Sequence, residues 1–300
     1  MKNSLLAFFC VSLLLACGAQ AGFWDSYEVL FGQQNFQYSG SPDQGNENVQ
    51  LGLDQLTGSG FKSKYPYLFG YLSMKIKLVG GNSAGTVTSF YMASVYEKWS
   101  ELDFEFLGNT SGAPYILQTN VFSEGVGQRE QRIYLWFDPT ADYHEYGVLW
   151  NKNLILFMVD GKVIRVFHNT QYLGIPYLNY QPMFIYTSIW DGSTWATCGG
   201  TVPADWSLAP FKASYSNFNT KDACAVTTEP PPYYATPEDV SLCSSQADQS
   251  WYGNDPNLAL TQTQIDDLRW IKSNYIVYDY CTDLERYNWT VPPECAVNWP

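Results

Sequence analysis

The chain is 300 residues long, with a formal net charge of −13, a pI near 4.4, 17% aromatic residues and only 15% charged ones. So acidic a protein repels phosphate backbones and anionic bilayers, which excludes nucleic acid and membrane surfaces as partners and leaves neutral polymers as comfortable ones. With 23 Tyr, 17 Phe and 11 Trp there is material for a large core and rings left over for a binding surface, so one large β domain is expected.

Residues 1–21 read as a signal peptide. Lys2 supplies the positive start, the next dozen residues are mostly apolar, and Ala19-Gln20-Ala21 is a small-x-small cleavage site. A lipoprotein-type cleavage at Leu15-Ala16-Cys17-Gly18 is the weaker alternative. The apolar run is too short to span a bilayer, and no other stretch approaches the roughly 18 apolar residues a span needs. Residues 33–60 are polar and turn-rich, with a short strand-like piece at 49–53. Residues 71–79 alternate well, Met74, Ile76 and Leu78 against Ser73, Lys75 and Lys77. A further strand at 85–94 carries Phe90 and Tyr91.

The stretch Glu101-Leu102-Asp103-Phe104-Glu105-Phe106 sorts cleanly at period two. Leu102, Phe104 and Phe106 form an apolar face, and the opposite face carries three carboxylates, each roughly 7 Å from the next at a strand rise of about 3.4 Å. Three readings compete. A solvated acidic face is the bland one. A Ca²⁺ site is a second, although three ligands on one straight strand seldom wrap an ion. The third is glycoside cleavage with retention, which needs two carboxyls about 5–5.5 Å apart, one nucleophile and one acid/base. Glu101 and Glu105 leaning inward would serve, with Asp103 between them holding a proton or hydrogen bond and keeping their pKa values apart.

Further strands are expected at 115–122, 132–137, 145–150, 154–159, 163–168, 183–190 and 211–217, with Asp160-Gly161 as a hairpin turn. Many short strands and few helical patterns predict an all-β antiparallel sandwich. From Thr227 the character changes: Glu229-Pro230-Pro231-Pro232 reads as an extended linker. A helix is expected over 263–274, capped by Thr263 with Asp266 at the capping-box position, followed by a short strand at 275–280. Gly81-Asn82-Ser83-Ala84-Gly85 matches a nucleophile elbow, but the β-rich sequence after it cannot form the helix an elbow enters. His144 and His168 are the only histidines and read as structural, so no metal site is expected.

The carboxylate block, extended through Leu107-Gly108-Asn109-Thr110-Ser111-Gly112, resembles the signature of the xyloglucan endotransglucosylase/hydrolases of glycoside hydrolase family 16. The likeness continues in Tyr115 to Phe122, in Arg129-Glu130-Gln131-Arg132 through Trp136-Phe137-Asp138, in Trp195-Ala196-Thr197 with Gly199-Gly200, and in Tyr280-Cys281-Thr282-Asp283 with Pro292-Pro293-Glu294-Cys295. The resemblance implies a jelly roll at 22–222 and a disulfide-bonded C-terminal extension at 223–300. It implies a secreted, monomeric enzyme of the cell wall (apoplast) acting on xyloglucan donor and acceptor chains without a cofactor. Glu101 is then the nucleophile, Glu105 the acid/base and Asp103 their tuner. Trp190 and Trp195 line the cleft, with Tyr91, Gln118, Thr119, Asn120, Gln128, Arg129, Glu130, Ala196, Gly200 and Arg286 as sugar contacts.

Five cysteines remain after the leader, so one is odd. Local pairing of Cys224 with Cys243 and Cys281 with Cys295 is simplest, the resemblance implies the same, and Cys198 is left free. Asn109 falls at a glycosylation position of the family, and Asn288-Trp289-Thr290 is a second sequon. The chain departs from the family pattern at Trp99-Ser100, where His-Asp is usual, at Cys198, where Arg is usual, and at Gln128, where Asn is common. Transfer is favoured over hydrolysis because a long, aromatic-lined acceptor side is expected from Trp190, Trp195 and the extension up to Arg286. A xyloglucan endohydrolase is the alternative, and a wall lectin that has lost catalysis is a third reading.

Overall fold

The computed structural model describes residues 22–227, 234–253 and 259–297. The expected leader and the Glu229–Pro232 linker fall outside them. Among the described residues a short helix, α1 Phe23–Ser26, is followed by fifteen strands in chain order: β1 Tyr27–Phe31, β2 Phe36–Ser39, β3 Asn48–Leu53, β4 Ser59–Ser63 and β5 Gly70–Lys77. They continue with β6 Thr86–Ala93, β7 Glu101–Leu107, β8 Ile116–Phe122, β9 Gln131–Tyr134 and β10 His144–Trp150. The last five are β11 Leu154–Val159, β12 Lys162–His168, β13 Phe184–Asp191, β14 Phe211–Asn219 and β15 Ile276–Asp279. They make two antiparallel sheets, one ordered β1-β4-β13-β6-β7-β8-β9-β15 and the other β12-β11-β10-β5-β14-β3-β2.

The expected sandwich is therefore what forms, and its core is aromatic. Phe104 from one sheet meets Phe157 of the other at 5.2 Å, and Phe106 meets Tyr146 at 4.6 Å. Both Phe side chains are fully buried, so truncating either to Ala would cost about 3–5 kcal/mol. Asp160 and Gly161 both take positive φ, 50° and 75°, as a two-residue turn between right-twisted strands demands.

Several elements differ from the sequence reading. Strands β1, β2 and β4 were not expected: β1 carries strand-forming residues that the sequence reading passed over, whereas Gln and Ser in β2 and Ser and Gly in β4 interrupt the apolar pattern, and there pairing supplies what propensity lacks. Helix α2, Pro237–Gln249, was likewise not expected. Its residues are mostly polar, yet Thr236 caps it, accepting from Asp239 N at 3.1 Å, with Pro237 at the first position. Helix α3 spans Gln262–Asn274 and starts earlier than expected. Thr261, not Thr263, is its cap, and Gln264 returns the capping box at 2.9 Å. Strand β9 stops at Tyr134, short of the expected 137.

Disulfides join Cys224 to Cys243, fixing α2 to the segment after β14, and Cys281 to Cys295, closing the loop after β15. Lys162 at the start of β12 pairs with Asp267 of α3 at 2.6 Å. Strand β15 pairs with β9, Tyr278 opposite Arg132 and Asp279 opposite Gln131, so the chain's last strand extends the sheet that carries the carboxylates. Among the described residues no helix is long and apolar enough to cross a membrane.

Candidate active site

Strand β7 lies near the middle of its sheet, between β6 and β8. Because Leu102, Phe104 and Phe106 are committed to the core, Glu101, Asp103 and Glu105 are forced onto the outer face. There they floor a cleft of about 550 Å³ lined also by Tyr91 and Ser89 of β6, Gln118, Asn120 and Phe122 of β8, and Arg132 of β9. Glu130, Ser188, Trp190 and Trp195 complete it. The cleft thus runs across the strands, from the tryptophans on the β13 flank to Glu130 on the β9 flank.

The three carboxyls are not equivalent. Asp103 is only 6% exposed. Burial pushes its pKa well above the usual carboxylate range, and the charges of Glu101 and Glu105 push the same way. Asp103 and Glu101 also share a hydrogen bond, which holds the proton on Asp103 and favours ionised Glu101. Burial raises Glu101 as well, opposed by that bond and by one from Trp99. Glu105 is raised by burial, opposed by Gln118. Arg132 Nε donates to Gln118 Oε1 at 2.7 Å, which can only be an oxygen, so the amide NH₂ faces Glu105 Oε2, also at 2.7 Å. One ionised carboxylate beside two protonatable ones is the arrangement that separates a nucleophile from an acid.

Tyr91 stacks on Tyr186 at 5.0 Å, and Trp190 lies 5.9 Å from Trp195. Flat ring faces beside the carboxylates suit the apolar faces of sugar rings.

Of the expected contacts, Tyr91, Gln118, Asn120, Glu130, Trp190 and Trp195 line the cleft. Six do not. Thr119 stands opposite Phe104 in the register and points into the core, where its hydroxyl accepts from Arg165 at 2.9 Å. Arg129 is buried, its Nε 2.7 Å from Glu294. Gln128 contributes its carbonyl to the Tyr287 hydroxyl from a left-handed backbone, φ 66°. Ala196 packs with Val87 and Leu107. Gly200 is a backbone necessity, since a Cβ there would lie 2.2 Å from the Thr194 carbonyl oxygen. Arg286 stands behind the cleft and orients Glu130 through bonds of 2.7 and 3.2 Å. The sequence reading missed Ser89, Ser188, Arg132 and Phe122. All four sit two residues from an expected contact, Tyr91, Trp190, Glu130 and Asn120 respectively, so period two would have found them; Phe122 also stacks on Trp99 at 5.8 Å. Asn109, just beyond β7, donates its side-chain amide to the Pro114 carbonyl at 3.0 Å. Cys198 is exposed and unbridged.

Residues 23–208 match the family description of glycosyl hydrolases family 16, and residues 246–295 match that of the xyloglucan endo-transglycosylase C-terminus. The chain is 50% identical over 251 residues to xyloglucan endotransglucosylase protein 2 of Diospyros kaki, covering 84% of this chain and 81% of that one. It is 47% identical over 291 residues to a probable xyloglucan endotransglucosylase/hydrolase protein of Nicotiana tabacum, covering 95% and 94%. Among solved structures, a prokaryotic β-1,3-1,4-glucanase (lichenase) derived from a mouse hindgut metagenome superposes with a TM-score of 0.52 at 21% identity. It covers 66% of this chain and 94% of that one, a likeness of fold. The chain therefore belongs to glycoside hydrolase family 16, among the xyloglucan endotransglucosylase/hydrolases.

Proposed function

We propose that this protein is a secreted, retaining endo-transglucosylase that cleaves the β-1,4-glucan backbone of xyloglucan and rejoins it to a xyloglucan acceptor in the cell wall. The observation that carries the reading is the single row in which buried Asp103 shares a hydrogen bond with Glu101 while Gln118, itself held by Arg132, donates to Glu105. Ionised Glu101 attacks the anomeric carbon as Glu105 gives its proton to the departing glycosidic oxygen, leaving a glycosyl ester on Glu101. An acceptor hydroxyl then gives its proton to Glu105 while its oxygen displaces the Glu101 carboxylate. No cofactor enters either step. Asp103 lends the ester step a hydrogen bond and prevents two adjacent negative charges.

Transfer requires an acceptor held well enough to outcompete water. The ring faces of Trp190 and Trp195 at one flank and the Glu130–Arg286 pair at the other support a cleft that grips polymer on both sides of the carboxylates. We assign residues 1–21 to a leader, 22–222 to the catalytic unit and 223–300 to an extension serving the cleft, in a protein acting as a monomer. Glu101→Gln is expected to abolish turnover with the fold intact, and appreciable residual activity would defeat the assignment. Added xyloglucan oligosaccharides should accelerate the fall in polymer length without a matching rise in reducing ends. Reducing ends that rise equally fast with and without acceptor would make the protein a hydrolase, and binding without redistribution a lectin.

A further inference from the structure

Arg165 on β12 is buried at 2% exposure, deep between the sheets. Its Nη1 donates to the Thr119 carbonyl and hydroxyl, both at 2.9 Å, and its Nη2 to the Arg129 carbonyl at 2.6 Å. The guanidinium also lies over the rings of Phe157 at 5.4 Å and Tyr280 at 5.9 Å. Among the described residues it joins no ion pair. A buried cation without a directly paired anion is costly, and an apolar side chain of the same size would pack at less expense. Stability therefore does not account for it.

Register does. Thr119 stands opposite Phe104, with Asp103 opposite Asn120 on one side and Glu105 opposite Gln118 on the other. The guanidinium thus sits beneath the middle of the carboxylate row, across the sheet from it. Its other anchor, Arg129, immediately precedes cleft residue Glu130.

We propose that Arg165 is a positioning residue for the reaction described above: its fork fixes the backbones beneath Gln118, Asn120 and Glu130, and its unpaired charge sets the electrostatic potential under Asp103. This rests on the function proposed above. The fork holds two carbonyls from two separate segments, β8 and the chain just before β9, a geometry that a single-point cation cannot reproduce. The field opposes what burial does, since the cation favours the ionised form of Asp103. The other charged or titratable groups facing the row are Glu101 and Glu105 on β7, Tyr91 on β6, Tyr186 on β13, and Glu130 and Arg132 near β9. Those facing Arg165 itself are Tyr280, Asp279, Arg129 and Glu130.

The test is kcat/KM against pH for xyloglucan breakdown by Arg165→Met, Arg165→Gln and Arg165→Lys, with circular dichroism as the check on folding. The neutral variants should move the acidic limb to higher pH and lower kcat on the order of 10²-fold, the scale of a slightly misplaced catalytic group, with little change in KM. Arg165→Lys should keep the acidic limb and still lose kcat, because charge survives and the fork does not. Gln keeps a donor for the Thr119 carbonyl and carries the test if Met does not fold. A folded neutral variant with the wild-type limb, or a Lys variant with wild-type kcat, overturns the inference. The charge effect is also read without activity. Deeper protonation of the row should make the melting temperature of the neutral variant fall more steeply from acid to neutral pH than that of the wild type. Parallel curves overturn the inference, whereas an inactive wild type with divergent curves counts only against the proposed function.

Discussion

Replacing Glu294 by Leu strands a charge. Arg129 and Glu294 meet at 2.7 Å with side-chain exposures of only 7% and 3%, so neither can turn to water when the other is removed. Losing one partner of such a pair costs about 3–5 kcal/mol. Arg129 keeps a bond to the Val126 carbonyl at 2.5 Å and the face of Phe167 at 5.7 Å, which places the expected loss toward the lower end. At about 2 °C per kcal/mol for a chain of this size, melting should fall by about 6 °C. Arg129→Met combined with Glu294→Leu should recover most of that loss, since an apolar pair of similar volume replaces the ions without stranding either. Scanning calorimetry on the two single variants and the double variant closes the cycle. A Glu294→Leu protein melting within about 2 °C of wild type, roughly 1 kcal/mol, would refute the reasoning.

Three further outcomes are expected. Because burial raises the pKa of Asp103, the folded state binds that proton more tightly than the unfolded chain; this stabilisation is complete below the ordinary carboxylate pKa of about 4 and is lost as pH rises through the folded value. Asp103→Asn should therefore melt higher than wild type at pH 7, by about 0.5–2 kcal/mol in stability, while its activity drops; equal melting at neutral pH would contradict this. Thiol counting on denatured, unreduced protein that lacks the leader with Cys10 and Cys17 should find one group, and Cys198→Ser should abolish it with stability unchanged within about 0.5 kcal/mol; a count of zero would mean a bridge to another molecule or a different pairing. A Cβ added at Gly108 would meet the Ser83 carbonyl oxygen at 1.9 Å, so Gly108→Ala should destabilise by about 1–3 kcal/mol and disturb the end of β7; a variant with native stability and kcat would show that this approach can relax.

The carboxylate strand β7 was legible because one period governs it. Alternation put Phe104 inward and Asp103 outward before any fold was known, and the structure obeys. The same rule exposes the error at Thr119. Gln118, Thr119 and Asn120 were carried over as a block, yet three consecutive strand residues cannot all face one cleft. Ala196 and Gly200 failed for a related reason: a motif near a site contains residues that shape its backbone as well as residues that touch the ligand. Helix α2 was invisible because its order comes from a cap, a proline and a disulfide rather than an apolar stripe. Arg165 in Val163-Ile164-Arg165-Val166-Phe167 gave no signal at all. A lone arginine in a strand reads as solvent-facing, and only the packing of the second sheet shows that it faces inward.

The pairing of β15 with β9 has a consequence for the order of assembly. Strands β6, β7 and β8 are neighbours in both sequence and space, so the carboxylate floor of the cleft can close on local contacts soon after they are made. Strand β9 has no outer partner until residues 276–279 exist, and until then it is a bare sheet edge offering unpaired backbone to any other nascent chain. Arg286, which orients Glu130, follows later still. A chain built from its N-terminus thus acquires its carboxylate row early and seals its cleft late. Premature termination before residue 276 would leave a protein with intact carboxylates and an adhesive flank.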